Sequence, residues 1–357
     1  MKDRDLLVRL VFGSMAAQTV RAAVRLRIVE LVGDTPCPAA DVAAEAGTAP
    51  QPMTRLLRAL AGLGLLEEHA PGFFAVTSAG ALLDSNRPDS LTSFVRMFTE
   101  PAIIRAWEHL DDSVRTGEVA FDAVFGTDFF SHLARQPELS SMFNAAMSQA
   151  TAETATALPG AFDFGRFGSV TDVGGGDGTL LAGVLTAFPA LKGVVYDTAG
   201  GLAQGPETLR RHGLTERCSL TAGDFFRSVP GGSDLYLMKS ILHDWPDDRA
   251  VTILRHCRAA LPPGGRVLIL EPVLPGAVGT DGDGGTYLSD LNMLVNVGGR
   301  ERTRQDFEDL CHAAGLSLVT VTPLPEAEPF SLLEAEAGWS PQGPQATVPI
   351  RPTVPGS

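Results

Sequence analysis

The chain is short of positive charge, of cysteine and of uninterrupted apolar sequence. Lysine and arginine number 28 against 42 aspartates and glutamates, a net charge of −14. That excludes a general nucleic-acid binder, which needs clustered cations to neutralise phosphates. The four cysteines, Cys37, Cys218, Cys257 and Cys311, lie far apart, with no CxxC pair and no Cys/His cluster. Neither a zinc site nor a disulfide framework follows from them, and ordinary free thiols in a reducing compartment are expected. No run of 18 apolar residues occurs, so no membrane span is predicted. The N-terminus carries charges and lacks a secretion-signal pattern, so a cytoplasmic protein is the expectation. A chain of 357 residues, 44% hydrophobic and 20% charged, suits a globular protein of two domains.

Glycine is what the chain concentrates. In Thr171-Asp172-Val173-Gly174-Gly175-Gly176-Asp177-Gly178 an apolar lead-in carries an acid and ends in glycines at every second position. Helical periodicity follows from Thr179 to Phe188. This predicts strand, tight turn and helix, with a ligand approaching the main chain of Gly174 and Gly176 closely. A nicotinamide or flavin fingerprint needs G-x-G-x-x-G, but its last glycine would fall at Thr179 or Leu181. No Gly-Lys-Ser/Thr follows, so it is not a phosphate loop. Acid-x-G-x-G-x-G resembles the cofactor motif of class I S-adenosylmethionine (SAM) methyltransferases.

From Ser169 onward strands and helices alternate, predicting a mostly parallel sheet covered on both faces. Gly193–Asp197 reads as the second strand, and Asp197 lies 25 positions after Asp172 (197 − 172), where a carboxylate can accept both ribose hydroxyls. Arg217–Thr221 reads as the third strand, and Asp224 and Phe225 beyond it suit an adenine. Gly232–Lys239 reads as the fourth, with Lys239 at its carboxyl end. Ligands of open α/β sheets bind beyond those ends, so Gly174, Asp197, Asp224 and Lys239 are expected in one crevice. His243 follows in a loop before a helix from Pro246 to Leu261. It is the best general-base candidate of the seven histidines. A fifth strand is read at Arg266–Leu270, ending at Glu271-Pro272. Leu288–Val295 reads as helix, Thr303 caps another, and an antiparallel hairpin from Leu316 to Glu334 closes the sheet.

The N-terminal third reads as one long amphipathic stretch from Leu6 to Val32, two short helices and a β-ribbon, a winged-helix pattern. DNA reading is a rival function for it. The second helix carries only Arg55 and Arg58 as bases, so a dimerisation module is favoured. Its apolar first helix fits burial against a second subunit. Helices are expected over 90–97, 103–116 and 121–135 and from Leu139. Trp107, Met142 and Met147 read as core, though their place before the cofactor domain suits a shared pocket.

Taken together, Asp172–Gly178, Gly223-Asp-Phe-Phe226, Leu242-His-Asp-Trp-Pro246, Leu261–Gly265 and Gly298-Gly-Arg-Glu-Arg-Thr303 resemble the plant-type, two-domain small-molecule O-methyltransferases. The likeness spans residues 10 to 335 and is strongest to the actinobacterial branch that tailors antibiotics and polyketides. It implies a Rossmann-like α/β domain with a mixed sheet and a C-terminal hairpin, joined to a winged-helix-like N-terminal domain that forms a homodimer. The implied division is 1–100 for dimerisation, 101–160 for a helical linker and acceptor-pocket segment, and 161–336 for SAM binding and catalysis. A Pro-rich disordered tail at 337–357 follows. The resemblance implies His243 as base, steered by Glu271 and Glu301, with no metal. It implies Lys239 near the cofactor and Ser148 at its methionine carboxylate. Met142, Asn144, Met147, Asp244, Met293 and Asn296 fall at acceptor-pocket positions, beside Trp107. After the second strand the family has Asp-Leu-Pro, where this chain has Asp197-Thr-Ala. Some relatives of that branch lack the histidine and perform hydroxylation or decarboxylation with SAM. His243 with both glutamates argues for methyl transfer to a phenolic or enolic hydroxyl, ahead of such chemistry, pericyclic catalysis or a DNA-binding role.

Overall fold

The computed structural model describes residues 3–279 and 284–338. The tail expected from 337 starts with Ala337 still in a strand; from 339 it lies outside the described residues, as do 280–283 of the Gly- and Asp-rich loop.

The expected first helix is three: α1 (Asp3–Val11), α2 (Gly13–Arg25) and α3 (Ile28–Val32). The chain bends by 46° between α1 and α2, and Arg27 turns left-handed (φ 53°) before α3. Next come β1 (Cys37–Pro38), α4 (Ala39–Glu45), α5 (Pro50–Gly62), β2 (Leu66–Ala70), β3 (Phe73–Val76) and α6 (Ser78–Ala81). These are the expected helix–helix–ribbon elements, with β1 as an unforeseen third strand beside β3. Ile28, Leu57, Leu60 and Phe74 fill their core. Arg58, one of two bases on the helix that would read DNA, is paired with Glu68 of β2 at 3.0 Å.

The middle helices are shorter than expected: α7 (Thr92–Phe98), α8 (Pro101–Trp107), α9 (Leu110–Thr116), α10 (Ala120–Phe125) and α11 (Phe129–Ala134). The helix expected over 121–135 is broken at Gly126, whose φ of 68° ends α10. They lead into α12 (Pro137–Ala161), 25 residues long and opened by Pro137 at its first position.

The remaining elements are β4 (Ser169–Val173), α13 (Thr179–Ala187), β5 (Lys192–Asp197), α14 (Gly205–Arg211), β6 (Cys218–Ala222), β7 (Leu235–Lys239), α15 (Asp247–Ala260), β8 (Arg266–Leu274), α16 (Gly285–Asn296), β9 (Arg302–Thr303), α17 (Arg304–Ala313), β10 (Leu316–Pro323) and β11 (Phe330–Ala337). The sheet order is β10-β11-β8-β7-β4-β5-β6. β8, β7, β4, β5 and β6 run parallel, while β11 and β10 form the expected antiparallel hairpin. β4 and β7 are almost wholly buried, as central parallel strands covered on both faces must be. The chain leaves β4 to one side for β5 and returns on its other side as β7. A crevice opens at that switch point, beyond the carboxyl ends of the strands.

The fifth strand does not stop at Glu271. β8 continues through Pro272 to Leu274, because Pro272 pairs with Phe330 of β11 and Val273 with Arg302 of β9. Glu271 therefore stands inside a strand, fixed on the sheet.

Among the described residues no single helix is long and apolar enough to cross a membrane. Helix α12 lies on α7 and α13. The α13 contact is close: a Cβ on Gly183 would stand 2.3 Å from the Ala155 carbonyl oxygen.

Candidate active site

The glycine turn joins β4 to α13 through three left-handed positions, Gly174 (φ 73°), Gly176 (φ 56°) and Gly178 (φ 81°). A Cβ at Gly174 would strike Ile241, and one at Gly175 the Asp172 carboxylate and Val195. At Gly176 nothing lies within 4 Å of the Cβ position, so open space faces the turn there. The Gly176 N–H donates to Asp197 Oδ2 at 2.9 Å, tying the turn to the end of β5. Asp172 is buried, and its Oδ2 has no partner among the described residues. Burial first, and the neighbouring charge of Asp197 second, push its carboxyl up to about 7. Burial also raises Asp197, against the N–H groups of Gly176 and Thr198. Ser148 on α12 bonds Thr179 at the start of α13 at 2.8 Å, which brings it to the same turn. Phe225 reaches within 3.7 Å of the Gly174 Cβ position. Asp224 is exposed and holds the N–H of Phe226. Open space at Gly176 beside the Asp197 carboxylate, with the orphaned buried carboxylate of Asp172 next to the turn, fits a ligand with a cationic amino group and ribose hydroxyls.

Lys239 ends β7 behind this turn, its ammonium 4.3 Å from the Phe330 ring. Burial pulls it down to about 8, against the opposing charges of Glu271 and Asp172. Ser240 follows with φ 54°, so the chain leaves the strand in a left-handed kink that starts the His243 loop.

Three carboxylates surround His243. Its Nδ1 lies 3.0 Å from Glu301 Oε1 and 3.6 Å from Glu271 Oε2, and its Nε2 lies 3.5 Å from Asp244 Oδ1. Burial opposes charge on the imidazole, but Glu271, Asp244 and Glu301 outweigh it and push it up to about 10. Burial likewise pushes Asp244 up to about 7. Glu271 Oε1 takes the N–H groups of Ile241 and Leu242 at 2.9 and 2.8 Å, while Oε2 faces the ring and makes no hydrogen bond among the described residues. The three ligand-type groups of His243, Glu271 and Glu301 stand close enough to hold a metal ion. The arrangement reads as a base and its orienting acids, since Nδ1 already bonds Glu301 directly.

Sequence reasoning missed the groups that frame this histidine. Arg302 is fully buried, yet donates to the carbonyl oxygens of Leu242 at 2.7 Å and Trp245 at 2.8 Å, on either side of His243 and Asp244. It also pairs with Asp247 at 2.8 Å. Gly299 lies against the same loop, where a Cβ would stand 2.0 Å from the His243 carbonyl oxygen. Ser289 and Asn292 were not singled out either. Asn292 Oδ1 accepts from both Trp107 Nε1 at 3.0 Å and Asn296 Nδ2 at 2.9 Å, so two expected acceptor-pocket residues meet on a third.

The other acceptor candidates scatter. Met142 and Met147 pack on the aromatic cluster of Phe121, Phe129 and neighbours. Met293 is buried. Asn144 donates to the Gly200 carbonyl at 2.8 Å, in the loop after Asp197, which places it on the cofactor side. Phe130 stacks on Trp245 at 5.3 Å and carries the aromatic wall to the His243 loop.

The chain matches the O-methyltransferase domain over residues 107–317 and the O-methyltransferase dimerisation domain over residues 8–85. It is 46% identical over 334 residues to O-demethylpuromycin-O-methyltransferase of Streptomyces alboniger, which covers 93% of this chain and 89% of that protein. Among solved structures it is similar to LaPhzM, with a TM-score of 0.88 at 37% identity over 94% of this chain and 100% of that one. It is also similar to NcsB1 from neocarzinostatin biosynthesis, solved with SAM and 2-hydroxy-5-methyl naphthoic acid. That match has a TM-score of 0.75 at 32% identity, over 90% of this chain and 95% of that one.

Proposed function

The chain belongs to the SAM-dependent O-methyltransferase family, and we propose that it methylates a phenolic or enolic hydroxyl of a small aromatic or polyketide-type natural product, with His243 as general base. One observation carries the assignment of the base. His243 Nδ1 is held by Glu301 Oε1 at 3.0 Å with Glu271 behind it, so in the neutral ring, the form that can act as base, the proton sits on Nδ1 and Nε2 keeps the lone pair. When bound, SAM supplies a methyl group activated by its sulfonium sulfur. Asp197 would accept the ribose hydroxyls, Asp224 and Phe225 would take the adenine, and Asp172, Gly174, Gly176, Ser148 and Lys239 would line the amino-acid end.

A phenol of pKa about 10 is little ionised at neutral pH, so the proton has to go somewhere as the oxygen reacts. In the fraction of enzyme whose ring is neutral, Nε2 receives it, and the carboxylates stabilise the imidazolium that forms. The 2-hydroxy-5-methyl naphthoic acid solved with NcsB1 supports a flat aromatic substrate. The Phe130–Trp245 stack supports it too. Trp107, Asp244, Asn296 and the methionines Met142, Met147 and Met293 are assigned to the acceptor side, and residues 1–100 to a homodimer.

The test is turnover with calorimetric binding. Asp197→Ala is expected to weaken SAM and S-adenosylhomocysteine binding. His243→Ala is expected to keep binding and to lose about 10²–10⁴-fold in kcat. Near-wild-type turnover by His243→Ala would mean that positioning alone carries the reaction.

A further inference from the structure

We propose that Ser289 is a positioning residue for the base, acting through Glu301. The inference rests on the reading of His243 as base. The Ser289 hydroxyl, on the first turns of α16, lies 2.9 Å from Glu301 Oε1. That is the oxygen on which His243 Nδ1 rests. An ionised carboxylate only accepts, so both neighbours donate to it. The other oxygen, Oε2, is buried and has no partner among the described residues.

A buried carboxylate with both donors on one oxygen is held in one rotation. The next residue on α16, Asp290, accepts the Glu301 backbone N–H through Oδ1 at 2.8 Å. Two consecutive helix residues therefore grip Glu301, one at its backbone and one at its carboxylate. Without the hydroxyl, only the imidazole would hold that carboxylate. Oε2 would then compete for the Nδ1 proton, and the direction in which Nε2 points would loosen. The hydroxyl also draws off part of the negative charge on Oε1, so its loss leaves more charge facing the ring.

The test needs no acceptor. Protein labelled with ¹³C-histidine is titrated with protons and the His243 ring signal is followed by NMR, with His243→Ala for assignment. Variants are Ser289→Ala, Ser289→Thr, which keeps the hydroxyl, and Ser289→Cys, which keeps the size but is a poor donor. S-adenosylhomocysteine binding by calorimetry checks that each is folded. The Ala and Cys variants are expected to raise the His243 midpoint by about half a pH unit or more, the scale of one charge-assisted hydrogen bond. The Thr variant is expected to match wild type. If Ala does not fold, Cys carries the comparison. Unmoved midpoints in Ala and Cys, or a Thr variant displaced as far as they are, would overturn the proposal. A wild-type His243 that titrates at an ordinary histidine value would instead overturn the carboxylate-held base itself.

Discussion

At the scale of single residues, the unusual feature is a base that its surroundings keep charged. Glu271, Asp244 and Glu301 hold His243 up to about 10, against the desolvation that works the other way. Below that value both ring nitrogens carry protons and the ring cannot take another; above it Nε2 is free and can. The sign of the pH dependence follows. For a phenolic acceptor that the enzyme turns over, kcat/KM should climb from pH 7 to pH 9 instead of levelling off near 6.5. Removing one negative charge should move that limb to lower pH. Glu271→Gln does this while keeping an oxygen for the N–H groups of Ile241 and Leu242. A shift of about one unit toward acid is expected in its pH–rate profile. An unchanged limb would show that Glu271 holds the loop and leaves the ring alone. That His243, Glu271 and Glu301 come together was legible in the sequence, the first and last through the motifs that contain them and Glu271 through its place after the fifth strand. Ser289 and Asn292 were not, because their roles are hydrogen bonds made only once α16 lies beside the site.

At the scale of elements, the short segment from Gly298 to Thr303 acts as a latch on the His243 loop. The sequence marked this segment as a motif and assigned roles only to Glu301 and to Thr303 as a helix cap. Arg302 reaches back across 60 residues of sequence to the Leu242 carbonyl, a contact that local spacing cannot reveal. Its side chain is 0% exposed, and Asp247, its ion-pair partner, is 53% exposed. Most of its worth should therefore lie in the two carbonyls it satisfies. Lysine has fewer donors and no planar fork, so Arg302→Lys leaves one of those carbonyls unpaired. We expect a loss of about 1–3 kcal/mol in denaturant unfolding, together with slower turnover. An unfolding midpoint equal to wild type would mean that the loop is held by Glu271 and Gly299 alone. Other elements were misread for local reasons. Pro272 looked like the end of a strand, yet β8 runs on because β9 and β11 pair with it. Gly126 was a visible helix stop that periodicity overrode. The order of strand and helix from Ser169 onward was legible because buried parallel strands are nearly all apolar.

At the scale of the whole molecule, the fold leaves an apolar surface near the N-terminus that the described residues do not cover. Along α1 and the start of α2, Leu7, Leu10, Val11 and Met15 are each more than 60% exposed. α1 buries none of its residues within the chain. A row of large apolar side chains facing water is costly, at roughly 1.5–3 kcal/mol for each that burial would remove. The dimerisation domain matched over residues 8–85 contains most of them, and in a two-fold dimer the same patch is used by both subunits. Leu10→Glu with Val11→Glu places two like charges on that patch in each subunit. Light scattering after gel filtration should then report a monomer. The residues assigned to SAM all lie from Ser148 onward, so calorimetric SAM binding should persist in the monomer. If the variant stays dimeric, α1 is not the interface. If it becomes monomeric and also loses SAM, the cofactor crevice depends on the second subunit, and the two functions are coupled through α7 and α12, which join the N-terminal unit to the glycine helix.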